Sequence, residues 1–88
     1  MKFKSNISIK RIGGEHVLVS NDKGHLNFTR IITLNESAEY LISRSLNKEF
    51  DSVGWRDLLI QKYGISNEQA HTDAEALIEK LKEADVLA

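Results

Sequence analysis

Residues 26–46 read LNFTRIITLNESAEYLISRSL, and the period of their apolar residues changes in the middle. Up to Leu34 the even positions Leu26, Phe28, Ile32 and Leu34 are apolar, while Asn27, Thr29 and Thr33 are polar. That two-residue period is the pattern of a strand with one face on a core. Arg30 interrupts the apolar face, and Ile31 is the apolar exception on the other. From Asn35 onward the apolar positions are Ala38, Leu41, Ile42 and Leu46, which is helical spacing. Asn35 is a good N-cap and Glu36 follows in the first turn, where a carboxylate favours the helix N-terminus. A strand therefore gives way to a helix with almost no linker.

Toward the N-terminus the β character continues. Ile7, Ile9 and Ile12 sit among polar residues, Gly13-Gly14 makes a turn, Val17-Leu18-Val19 follows, and Asn21-Asp22-Lys23-Gly24 makes a second turn. Turn residues between β-branched runs mark hairpins, so strands are expected near 6–12, 15–20 and 27–34. Toward the C-terminus the helical period persists. Asp51 or Ser52 caps a second helix carrying Trp55, Leu58, Leu59 and Tyr63, and Gly64 is placed as its C-terminal stop. Ser66 with Gln69 is a capping-box pattern opening a third helix, whose core stripe reads Ala70, Ala74, Leu77 and Leu81 with Ile78 beside it. The expected fold is α+β: a three-stranded antiparallel sheet followed by three helices in a winged-helix-like arrangement.

Bulk properties narrow the function. A chain of 88 residues suffices for one domain, residues 1–88, and not for two. With 41% hydrophobic and 28% charged residues it is globular and not disordered. It has no cysteine, which removes disulfides, thiolate metal sites and cysteine nucleophiles. The start is basic without a following apolar run, and no stretch nears the roughly 18 apolar residues of a membrane span, so a cytoplasmic protein with no membrane partner is expected.

Little in the chain points to catalysis. His16, His25 and His71 lie far apart and none has a second ligand at metal-site spacing. Gly13-Gly14 lacks the rest of any phosphate-loop pattern. The pairs Glu36/Glu39 and Glu75/Glu79 share helix faces, and without a pocket signal they read as solvated charge. Trp55 reads as core. No enzyme activity, metal or cofactor is expected. Charge is segregated: residues 1–35 carry a balance of +4, residues 36–65 of −1 and residues 66–88 of −4. A winged-helix DNA reader or regulator is the main rival, and a structural or oligomerising domain the next. A DNA-reading third helix needs cations toward phosphate. Here it carries Glu68, Asp73, Glu75, Glu79, Glu83 and Asp85 against Lys80 and Lys82, so no nucleic-acid partner is expected.

The order of elements resembles a known family. Thr33-Leu34-Asn35-Glu36-Ser37-Ala38 is similar to the Leu-Asn-x-Ser/Thr-Ala junction of PqqD-like proteins, the pyrroloquinoline-quinone biosynthesis protein D group. Tyr63-Gly64-Ile65, the capped helix with Ala74, Leu77 and Leu81, and Val86-Leu87 resemble the family's closing segment. The likeness covers roughly residues 12–88. It departs where the family often has an Asp-Gly turn and this chain has Asn47-Lys48-Glu49-Phe50-Asp51.

The resemblance implies a peptide chaperone. Such a module holds the leader segment of a ribosomally made precursor peptide and presents it to a modifying enzyme, often of the radical S-adenosylmethionine (SAM) type. The leader adds as a strand beside the third strand and packs on the third helix. A free strand edge supports that use, because its unpaired N–H and C=O groups can be completed by an extended peptide. The expected binding residues are Thr29, Arg30, Ile31, Ile32 and Thr33 on the strand, with His71, Glu75, Ile78 and Lys82 as the helical wall. Arg30 and the basic sheet would attract an acidic leader. An open edge can also pair two copies, so a monomer or weak homodimer is expected.

Overall fold

Gly13 and Gly14 take φ of 59° and 86°, a backbone region that glycine enters without a Cβ penalty. They close a two-residue hairpin between β1 (Ile7–Ile12) and β2 (Glu15–Asn21), in register from Ile7↔Ser20 to Ile12↔Glu15. β3 (Phe28–Leu34) pairs antiparallel on the other side of β2, from His16↔Leu34 to Asn21↔Phe28, with a register shift between Val19 and Asn21. The sheet order is β1-β2-β3. This computed structural model describes residues 1–21 and 28–88, with the backbone alone described at residues 21 and 28–31. The expected turn at Asp22-Lys23-Gly24, along with His25 and Leu26, lies outside the described residues.

One face of the sheet carries Ile9, Leu18 and Ile32 in one cross-strand row. Leu18 is buried and the other two pack against the core. Leu34 is buried and Thr33 is exposed, the alternation expected for this end of β3.

Three helices follow: α1 (Glu36–Ser45), α2 (Ser52–Tyr63) and α3 (Asn67–Glu83). Each starts on a side-chain cap that satisfies an orphan N–H. Asn35 Oδ1 accepts from Ala38 N at 2.8 Å, Asp51 Oδ1 from Gly54 N at 2.7 Å, and Ser66 Oγ from Gln69 N at 3.1 Å. Asp51 is thus the cap of α2 and Ser52 its first residue. Gly64 ends that helix at φ 65°, in the left-handed C-terminal position expected of it.

The core lies between the sheet and the helices. Leu41 and Ile42 of α1, Trp55 and Leu59 of α2, and Ala70, Ala74, Ile78 and Leu81 of α3 are all buried. Trp55 Nε1 donates to Ser45 Oγ at 2.7 Å, and Ser45 Oγ donates in turn to Leu41 O at 2.9 Å, so this buried polar pair is internally satisfied. The Asn47–Asp51 stretch that departs from the family pattern has its own role. The Phe50 ring stacks on Trp55 at 4.6 Å and on Phe3 at 5.1 Å, and its N–H donates to Met1 O at 2.8 Å. The N-terminal segment also meets the end of the chain. Phe3 bridges Leu87, Lys4 N donates to Val86 O at 3.0 Å, and Ala88 N donates to Lys2 O at 2.7 Å.

Candidate functional site

β3 is an edge strand whose outer side has no strand partner among the described residues. Beside it runs a groove of about 310 Å³ between β3 and α3. Ile32, Thr33 and Leu34 form the strand side, and Asn35, Ser37 and Ala38 the corner where β3 becomes α1. The buried side chains of Leu41 and Leu59 lie at its base. Asp73, Ala76, Leu77 and Lys80 form the α3 wall. The groove continues past the end of β3 into a hollow of about 380 Å³, which shares Asn35, Ser37, Leu59 and Asp73 and adds Glu36, Tyr63 and Ile65.

Two elements give the groove its direction. At one end, Asp73 shares both hollows with Asn35, the residue that follows β3. At the other, Val86 beyond α3 is bonded to Lys4, which leads into the start of β1; Ile7 there pairs with Ser20, and the adjoining Asn21 pairs with Phe28 at the start of β3. α3 therefore runs antiparallel to β3, with Asp73 toward the strand's end and Lys80 toward its start.

Electrostatics are uneven along this path. Asp73 Oδ1 accepts from Gln69 Nε2 at 2.8 Å, which holds the carboxylate along the helix face. The Tyr63 phenol is pushed above its ordinary value of 10 by desolvation first, and then by the nearby charges of Glu36, Tyr40 and Glu39. It stays neutral through the physiological range and remains a hydrogen-bond donor.

The strand half of the expected site lies partly on this groove. Ile32 and Thr33 line it. The side chains of Thr29, Arg30 and Ile31 lie outside the described residues, although their backbone belongs to β3. The helical half differs from expectation. Ile78 is 3% exposed and belongs to the core, whereas Leu77, expected in the core, is half-buried and lines the groove. His71 and Lys82 are exposed and Glu75 is half-buried, and none of the three lines the groove.

The reason is angular. At about 100° per residue, Ala70, Ala74 and Leu81 define a stripe that Leu77 flanks by about 40° on one side and Ile78 by about 60° on the other. His71, Glu75, Ile78 and Lys82 all fall on the Ile78 flank; Asp73, Ala76, Leu77 and Lys80 all fall on the other. Periodicity locates the stripe, but the direction of α3 against β3 decides which flank faces the strand. That direction shows only in the tertiary contacts at the two ends of α3, which no local pattern in the sequence announces.

A small α+β module with an open strand edge beside an amphipathic helix has the features of strand-addition peptide binders. The chain belongs to the PqqD family: the family model for Coenzyme PQQ synthesis protein D (PqqD) matches residues 15–87. In fold it is similar to a solved structure described as Lasso peptide synthetase B1 complexed with the leader peptide. The TM-score is 0.66 and the identity 23%, over 93% of this chain and 89% of that one. Comparison with curated proteins returns no sequence match.

Proposed function

We propose that residues 1–88 act as one non-catalytic module that binds the leader segment of a ribosomally made precursor peptide and presents it to a modifying enzyme. The leader adds as a fourth strand on the open edge of β3 and lays alternate side chains into the β3–α3 groove. The observation that carries this reading is the coincidence of the free edge with an apolar-based groove at Ile32, Leu41, Leu59 and Leu77. Backbone pairing supplies affinity, and the groove supplies selectivity. Family membership and the likeness to a leader-bound lasso peptide synthetase subunit support the same use.

The modifying partner in this reading is a radical SAM enzyme of the cytoplasm, and the module is a monomer or weak homodimer when free. No helix among the described residues is long and apolar enough to cross a membrane. The acidic surface of α3 argues against duplex DNA as the ligand. Fluorescence anisotropy of a labelled leader peptide tests the binding, with micromolar or tighter affinity expected. Adding the radical SAM enzyme should form a ternary complex in size-exclusion chromatography. A leader that fails to bind at millimolar protein contradicts the adaptor role; a leader that binds without recruiting that enzyme contradicts the choice of partner.

A further inference from the structure

The two ends of the groove carry opposite charge, and their separation matches a strand. Asp73 lies toward the end of β3, where the adjoining hollow adds Glu36, and Lys80 lies toward its start. Between them the α3 wall is Ala76 and Leu77, over Leu41 and Leu59. Seven helical residues span about 10 Å. Residues i and i+4 of a strand, which share a face, lie about 13 Å apart, a difference that flexible charged side chains can cover.

Resting on the peptide-binding reading, we infer that the groove selects a leader segment of the form basic–x–apolar–x–acidic, entering antiparallel to β3. Antiparallel pairing puts the N-terminal end of the segment at the end of β3. Its basic side chain then faces Asp73 and Glu36, its central apolar side chain covers Leu77, and its carboxylate faces Lys80. A segment with the charges exchanged meets like charge at both ends. To avoid that it must reverse into parallel pairing, which is the less stable ladder. The charge pair therefore sets the direction of the bound strand as well as its composition.

The test uses three synthetic peptides, acetylated and amidated: TVKTLTETV, its charge-exchanged form TVETLTKTV, and the neutral TVQTLTQTV. Each is titrated against the wild-type protein and against the triple variant Glu36→Lys/Asp73→Lys/Lys80→Glu, with affinity and amide shifts both read. All three substitutions fall on exposed residues, so the variant should keep the wild-type amide spectrum outside the groove. Two exposed ion pairs should give wild-type protein a preference of about tenfold for the first peptide over the second, and the triple variant should invert it. Equal affinity for the two charged peptides, with shifts on β3, overturns the charge rule and leaves the groove standing. Absence of β3 shifts with all three peptides and with the precursor's own leader overturns the groove, and the charge rule with it.

Discussion

Leu77 and Ile78 are adjacent, both apolar, and have different surroundings. Ile78 is in the core and Leu77 lines the groove. Ile78→Ala should cost about 2–4 kcal/mol of stability in urea unfolding, as expected when a buried side chain leaves a cavity. Leu77→Ala should cost about 1 kcal/mol or less, because the side chain is half-exposed, yet weaken leader binding roughly tenfold. A sequence period cannot separate these two residues, since both flank the same stripe. Trp55 and Ser45 differed in legibility. Trp55 is marked as core by its helical spacing, but nothing local pairs it with a serine ten positions earlier. Ser45→Ala leaves the indole N–H buried without an acceptor and should cost about 1–3 kcal/mol. Tyr63 offers a pH readout. Its folded-state pKa is raised, so its contribution to stability is present below pH 10, the unfolded value, and is lost as pH rises through the folded value. The phenolate absorbance of wild type minus Tyr63→Phe should titrate above 10, and Glu36→Gln should move that midpoint down.

At the scale of elements, the sequence was easiest to read where local chemistry decides. Asn35, Asp51 and Ser66 cap their helices and Gly64 terminates α2, because a short polar side chain or a left-handed glycine acts within one turn of the backbone. Asn35→Ala should therefore cost about 1 kcal/mol and loosen the corner where β3 enters α1. The family resemblance implies an open edge on the third strand, and the sheet order leaves β3 at an edge. Its hydrogen-bonding polarity supplies a further check. Along an antiparallel strand, successive residues direct N–H alternately to the partner and away from it. Of Ile32→Pro and Thr33→Pro, one should keep the fold and lose the leader, and the other should disrupt β2–β3 pairing. Amide spectra and anisotropy on both variants distinguish the two, and equal effects on fold and binding would contradict strand addition.

At the scale of the molecule, the least legible feature is the closure of the chain on itself. Phe3 stands alone in a basic segment with no period around it, yet it is 4% exposed and stacks on Phe50 beside the bridge to Leu87. Its partners lie in two distant parts of the chain, so no window of sequence contains the contact. This closure ties the residues that follow α3 to the segment leading into β1, at the end of the sheet where β3 starts. Phe3→Ala should lower stability by about 3 kcal/mol and reduce leader affinity as well, although Phe3 does not line the groove. The most direct measurement is an amide chemical-shift titration of the labelled protein with the precursor's leader peptide. Strand addition in the groove predicts shifts along residues 28–34 and at Asp73, Ala76, Leu77 and Lys80, with His71, Glu75 and Lys82 nearly still. Shifts confined to β1, or none with leader but salt-sensitive shifts with duplex DNA, would contradict it.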